Sequence, residues 1–200
     1  MTVAKAVLLP NACLSWWADF LLPADADEFF EIIMVETHWR QDSIHLFGKK
    51  HPLPRLQAWY GDLGCFYTYS GIRMEPLPWT KTLLFVRRQV ELITGLTFNV
   101  VLVNLYRNGR DSNGWHADDE PELGENPSIA SVSLGATRCF RLRHRYNKET
   151  DAFSLPLTHG SLLVMSGATQ RYWQHCLTKT TKVLTPRINL TFRYIDGSIL

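Results

Sequence analysis

Two hundred residues are enough for one domain with a sizeable core and short for two. A hydrophobic fraction of 46% with 12% aromatics excludes a disordered chain. No run nears the ~18 apolar residues of a membrane span. A formal charge of +2 is too slight to argue for nucleic acid, so the local placement of charge must decide.

The N-terminus, Met1 to Pro10, carries one lysine and a short apolar run broken by Pro10, which makes a poor signal peptide. Cys13, Cys65, Cys139 and Cys176 include no Cys-x-x-Cys pair and point to reduced, mostly buried thiols. A soluble, intracellular protein is expected.

Asp25-Ala26-Asp27-Glu28 reads as a capping box with Asp25 as N-cap, and Phe29, Phe30, Ile32, Ile33 and Val35 then give a helix an apolar side. Residues 38–50 have a mixed pattern punctuated by Phe47-Gly48. Lys49, Lys50, His51 and Arg55 form a basic cluster around two prolines, which predicts an exposed loop. Gly61 and Gly64 are turn signals, and Cys65-Phe66-Tyr67-Thr68-Tyr69 is rich in strand formers. Thr80 opens a second helix, with Leu83, Leu84, Val86, Val90 and Ile93 at helical spacing and Gly95 as its C-cap. After Thr97 the pattern predicts strands at 98–106, 128–134, 138–145, 161–166 and 186–195. Helices first and strands afterwards is an α+β order with a mainly β core: an antiparallel sandwich or barrel with N-terminal helices packed on it. Without a linker or repeat, residues 1–200 read as a single domain.

The strand Val100–Tyr106 leads through a turn-rich loop to His116-Ala117-Asp118. Successive side chains of an extended chain alternate faces, so His116 and Asp118 point the same way and can grip one ion, while Asn104 and Tyr106 share a face. His-x-Asp alone is a weak signal in a chain with seven histidines and nineteen acidic residues. The last strand strengthens it. Ile188, Leu190, Phe192 and Tyr194 make one face, and Arg187, Asn189, Thr191 and Arg193 make the other. Two arginines and an asparagine facing a cavity suit a dicarboxylate, because Arg offers fixed bidentate donors. A third metal ligand has to come from His144, His159 or His175, of which His175 is best placed before the Arg-rich strand. Two His and one carboxylate with open positions opposite form the non-haem Fe(II) oxygenase arrangement.

Asn104-x-Tyr106, His116-x-Asp118, His175 and Arg187-x-Asn189-x-Thr191-x-Arg193 together resemble the AlkB family of Fe(II)/2-oxoglutarate dioxygenases. The resemblance covers roughly residues 40–195 and is nearest to the family's duplex-DNA-repairing members. Further resembling segments are Phe47-Gly48-Lys49, Tyr60-Gly61-Asp62, Tyr67-Thr68-Tyr69-Ser70-Gly71, Asp118-Asp119-Glu120 and residues 128–133. Tyr69 departs from the family pattern, which has phenylalanine there. The chain is short before residue 40, and no clamp-binding or nuclear-targeting segment is expected there.

The resemblance implies a double-stranded β-helix, or jelly roll, over 97–195, preceded by helices and a nucleotide-recognition segment in 1–96. It implies Fe(II) on His116, Asp118 and His175, with 2-oxoglutarate and O2 as co-substrates. Asn104 and Arg193 would help at the 2-oxo acid end, Arg187, Asn189 and Tyr106 at the far carboxylate, and Thr191 lies in the same row. The implied activity is oxidative demethylation of 1-methyladenine and 3-methylcytosine in DNA, with release of formaldehyde. A flipped base would stack between Tyr69 and the His116 ring, with Tyr67 and Ser70 beside it and Asp119 and Glu120 favouring a cationic base. Phe47 would wedge into the stack, and Lys49, Lys50 and Arg55, with the alternating Arg141, Arg143 and Arg145, would form a phosphate-contacting rim. Alkylated DNA is the expected partner, duplex or single-stranded, and the protein is expected to act as a monomer. It would work at the nucleoid in a bacterial cytoplasm or in a eukaryotic nucleus. Rival readings are a demethylase of RNA or tRNA, a small-molecule or protein hydroxylase, and a binding module with a dead metal site.

Overall fold

Two antiparallel sheets enclose the middle of this protein. The smaller is built from residues after Thr97, whereas the larger also takes three strands from before it, so the β core is not confined to the expected 97–195. The structure is a computed structural model and describes residues 3–46, 48–69 and 72–196. Strands β1 (Lys5–Val7) and β2 (Cys13–Trp17) precede helix α1 (Pro23–Glu36). Strands β3 (Ser43–Leu46), β4 (Lys49–Pro52), β5 (Leu56–Gly61), β6 (Tyr67–Tyr69) and β7 (Ile72–Met74) lead to helix α2 (Lys81–Thr94). The second half comprises β8 (Val100–Tyr106), β9 (Asn113–His116), β10 (Ile129–Gly135), β11 (Arg138–His144), β12 (Phe153–Leu157) and β13 (Ser161–Ser166). The helical turn α3 (Thr169–Tyr172), β14 (Trp173–Leu177) and β15 (Arg187–Arg193) complete it.

The major sheet runs β1-β2-β13-β10-β15-β8-β5 and the minor sheet β12-β11-β14-β9, while β3-β4 and β6-β7 form two separate ribbons. This is the jelly-roll core with helices on it. Strands β8 and β15 are buried along their whole length, which is why they read as apolar runs or as closed alternations rather than as solvated edges. Val101, Val103, Ile188, Leu190 and Phe192 face a core shared with Ile33 of α1 and with Leu83, Val86 and Val90 of α2. Val100 and Leu102, one residue out of phase, join Leu142 and Trp173 of the minor sheet in a second core. Because Asn104 and Tyr106 share the phase of Val100 and Leu102, they face inward between the sheets.

Helix α2 begins and ends as its sequence predicts. Thr80 Oγ1 accepts from Leu83 N at 3.2 Å, and Gly95 closes the helix with φ 69°. Helix α1 differs: it starts at Pro23 with Leu22 as N-cap and no side-chain cap, so Asp25 lies in the first turn. Proline at the first position has no N–H to satisfy, and an early Asp still complements the helix dipole. The expected loop at Lys49–Pro52 is a strand paired with β3. It is exposed throughout and carries no apolar alternation that would have announced it. The short strands β1, β2, β9, β12 and β14 were likewise not predicted, since three to five residues hold too little periodicity. All four cysteines are free thiols. Cys13 and Cys139 are exposed, against the expectation of mostly buried thiols, because both lie on outward phases of their strands.

Helix α1 docks closely on the end of β10. Gly135 has φ +82°, and a Cβ there would lie 2.6 Å from Pro186 O and 2.7 Å from Phe30 Cε2. Gly135→Ala should therefore lower stability by about 1–3 kcal/mol. Gly114→Ala meets nothing within 4 Å and should be close to neutral. Denaturant titration of the two variants checks the contrast.

Candidate metal and anion site

The cavity between the sheets has one wall from the major sheet and one from the minor. On the first, β15 pairs with β8 so that Arg187 lies opposite Tyr106 and Asn189 opposite Asn104. On its other side β15 pairs with β10, which places Ser133 opposite Asn189 and Ser131 opposite Thr191. The shared phase brings Arg187, Asn189, Thr191 and Arg193 into one buried row with Asn104, Tyr106 and the two serines. On the second wall, His116 of β9 is the registered partner of His175 of β14, with ring centroids 4.2 Å apart. Phe140 of β11 stacks on His175 at 5.0 Å.

Asp118 follows β9, and the ligand atoms of His116, Asp118 and His175 lie within 4.8 Å of one another. Among the described residues this is the group able to hold a metal ion. His144 and His159, the other candidates for third ligand, are placed elsewhere. The His144 ring packs near Tyr172 and Trp173, and His159 Nδ1 accepts from Gly135 N. His116 Nδ1 meets Gly114 O at 2.8 Å, which assigns the proton to Nδ1; the lone pair on Nε2, which here accepts from Asn113 Nδ2 at 3.2 Å, is the one a metal would take.

The protonation states also suit a metal. Burial alone would raise the Asp118 carboxyl, but Arg193, then His175 and His116, outweigh it and hold it at about 2. Burial, with His116 beside it, pushes His175 down to about 3, and desolvation lowers His116 as well. At neutral pH the cluster is one carboxylate and two neutral imidazoles, the forms that coordinate.

Three buried arginines, Arg55, Arg187 and Arg193, line the cavity and a fourth, Arg138, is buried near the Tyr106 ring; their partners separate their roles. Arg193 Nη2 donates to Asp118 Oδ1 at 2.9 Å. Arg138 gives its Nη atoms to three main-chain carbonyls, Asn108 at 3.2 Å and Asp111 and Thr178 at 2.8 Å each. Arg55 Nε donates to Asn104 Oδ1 at 2.9 Å, and its Nη1 donates to Asn113 Oδ1 at 3.2 Å. Arg187 donates to Ser133 Oγ at 2.9 Å and lies 5.4 Å from the Tyr106 ring, but its buried Nε has no hydrogen-bond partner. Burial pulls its guanidinium down to about 10, still charged at neutral pH, with Tyr106 acting in the opposite sense. A buried cation with an unmet donor fits an incoming carboxylate.

Several expected site residues sit differently from their sequence reading. Arg55 is 2% exposed and lines the cavity instead of the outer rim. The asparagine carbonyls of Asn104 and Asn113 draw it inward. Both amide protons of Asn189 are taken, by Ser131 Oγ at 2.8 Å and Val132 O at 3.0 Å, so it braces the wall. Thr191 donates to Asn189 Oδ1 at 3.0 Å and extends that brace. Asp119 is exposed but paired with Arg145 at 2.5 Å, and Glu120 is half-buried. Tyr67 and Tyr69 lie on β6, paired with Met74 and Ile72. Phe47 and Ser70 lie outside the described residues.

Arg138 and Gln170 were missed. Arg138 shares the inward phase of Phe140 and Leu142, and a charged residue on an apolar phase was the available signal.

The model of the family described as the 2OG-Fe(II) oxygenase superfamily matches residues 13–193. The chain belongs to this superfamily. It is 45% identical over 181 residues to the bovine DNA oxidative demethylase ALKBH2, covering 86% of this chain and 65% of that protein. To bovine alpha-ketoglutarate-dependent dioxygenase alkB homolog 3 it is 46% identical over 179 residues, covering 86% and 62%. The chain thus spans a little under two-thirds of the length of these relatives, and within the superfamily it is an AlkB-family member. The solved structure of OsALKBH1 matches with a TM-score of 0.65 at 16% identity over 96% of this chain and 99% of that one, a likeness in fold. Fe(II), 2-oxoglutarate and O2 are the cofactor and co-substrates that the family implies. The ligand atoms within 4.8 Å and the unmet donor of Arg187 fit them.

The depressed His175 and Asp118 have a stability consequence. Each binds its proton more readily in the unfolded chain than in the folded one, so acid favours unfolding. The metal-free protein should lose stability as pH falls from 6.5 toward about 3 through His175, and below 3.8 through Asp118. His175→Gln should flatten the upper part of that profile, read as melting temperature against pH. An unchanged slope would place the acid sensitivity elsewhere.

Proposed function

We propose that this chain is a DNA repair dioxygenase that removes N-methyl groups from bases such as 1-methyladenine and 3-methylcytosine, coupled to decarboxylation of 2-oxoglutarate. The observation that carries the reading is the joint presence, in one cavity, of the His116/Asp118/His175 cluster and a partly unmet buried arginine, Arg187. The two bovine relatives, one named a DNA oxidative demethylase, support the nucleic-acid side.

His116, Asp118 and His175 would hold Fe(II). Bound there with 2-oxoglutarate and O2, it supplies oxidation of a methyl C–H bond; the hydroxymethyl product then loses formaldehyde and leaves the repaired base. Arg187, backed by Tyr106 and Ser133, would take the far carboxylate of 2-oxoglutarate. Arg193 offsets the charge of Asp118 and keeps that carboxyl ionised. The apolar side chains Phe140, Leu142 and Leu102 keep the wall around the ligands dry, which strengthens each charged contact.

Outside the cavity, the minor sheet presents a basic, aromatic face. Arg143 lies 4.3 Å from the Trp115 ring and is held by the two bonds it donates to Gln174 Oε1, and Arg141 lies 6.0 Å from the same ring. Trp115 is the neighbour of His116, so this face borders the site. Oriented guanidinium groups beside an aromatic ring suit a phosphate backbone. In this reading the chain acts as one domain and as a monomer, and its site of action is wherever its DNA substrate resides. No described helix is long and apolar enough to cross a membrane.

The deciding experiment measures formaldehyde release from 3-methylcytosine in duplex DNA, single-stranded DNA and RNA, with Fe(II) and 2-oxoglutarate omitted in turn. Release from DNA that needs both additions is expected. Turnover of 2-oxoglutarate without release from any methylated nucleic acid would shift the reading to a small-molecule or protein hydroxylase.

Asp118→Ala should abolish release while the protein remains folded, as judged by circular dichroism. Arg187→Ala removes a charge-assisted bond of about 1.5–3 kcal/mol, so the 2-oxoglutarate KM should rise by roughly 10–100-fold, with activity recovering at high co-substrate. Arg141→Ala with Arg143→Ala should weaken DNA binding and flatten its salt dependence, leaving the co-substrate KM unchanged.

A further inference from the structure

Asp118 lies just beyond β9, and no regular structure holds the chain again until a short turn at Pro121–Leu123. A metal ligand on such a segment needs something to hold its backbone. That hold comes from Gln170, whose Oε1 accepts the Asp118 N–H at 3.0 Å. Gln170 is 1% exposed, and its amide nitrogen reaches only as far as Met165 Sδ, at 3.6 Å. The one strong bond it makes is to the ligand-bearing backbone.

The turn carrying Gln170 is itself pinned. Thr169 Oγ1 accepts from Cys13 N at 2.9 Å and donates to Ser166 O at 2.6 Å, and Trp173 Nε1 donates to Pro10 O at 2.8 Å. The strand leaving this turn presents His175 five residues on. Arg145 joins the same unit, bonding the Asp119 carboxylate at 2.5 Å and Gln170 O at 3.1 Å. Asp118 is thereby held from behind by Gln170 and in front by Arg193.

We propose that Gln170 is a positioning residue for the metal site: it fixes the backbone of Asp118 so that the carboxylate stands in register with His116 and His175. The inference rests on the metal reading above. Partners that orient ligands from outside the coordination sphere characteristically change metal affinity when removed.

The test uses Co(II) as a redox-stable probe, titrated into the full chain and followed by its d–d absorption, with wild type and Asp118→Ala as references. Gln170→Met keeps the bulk and removes the acceptor. Gln170→Asn keeps an amide but is one methylene too short to reach, and it decides the matter if the first variant does not fold. A folded variant should show a Co(II) Kd raised by about 10–100-fold and a displaced d–d band, while Asp118→Ala loses binding altogether. A folded variant with wild-type Kd and band, alongside a non-binding Asp118→Ala, overturns the role of Gln170 and leaves the metal site standing. Wild type that does not bind Co(II), or Asp118→Ala that binds it normally, overturns the metal reading and the role of Gln170 with it.

Discussion

The ion pair between Asp118 and Arg193 ties the two halves of the site together. Arg193 stands at the end of β15 in the major sheet, and Asp118 follows β9 in the minor sheet. Their side chains are 4% and 2% exposed, with 2.9 Å between them. A buried pair gains little net stability over a well-packed apolar pair, because both charges leave water. Its value here lies in chemistry and placement. The arginine keeps the carboxyl ionised where burial would protonate it, and it ties the ligand segment to the opposite wall.

The other buried arginines extend the same logic. Desolvating a guanidinium is costly unless each donor finds a partner. Arg138 meets three carbonyls that belong to the loops at one end of the sandwich, so it acts as a closure. Arg55 meets two asparagine carbonyls and holds β5 and β9 to the cavity. Arg187 has a buried Nε with no hydrogen-bond partner, a donor that would suit the carboxylate proposed for this cavity. Removing the partner of any of these cations would expose the full desolvation cost, which explains why the polar wall is so densely cross-bonded.

The sheet face turned to the helices and the face turned to the site follow from a one-residue phase difference. Val101 and Val103 pack beneath α1 and α2, while Leu102, Asn104 and Tyr106 face the minor sheet. Stability and chemistry are thereby separated on one strand. The site can carry unmet polar groups because an apolar core of ordinary composition lies directly behind it.

Much of this was legible in the chain. Strand alternation assigned Arg187, Asn189, Thr191 and Arg193 to one face and paired His116 with Asp118, since side-chain direction in an extended segment is a local property. Thr80 and Gly95 bounded the second helix for the same reason: caps act within a turn. What the sequence could not determine is which faces meet. Arg55 read as a surface charge, and only the neighbouring carbonyls of Asn104 and Asn113, 49 and 58 positions away, draw it inside. The phase of Arg138 beside Phe140 and Leu142 signals burial but not its partners, and Gln170 gives no periodic signal at all, because the groups each one bonds lie on segments distant in sequence. His175 rather than His144 or His159 joins the cluster because β14 pairs with β9 in a register that sets His175 directly beside His116. Periodicity is set by neighbours along the chain. The site is set by pairing across sheets, and that was decided only in the tertiary structure.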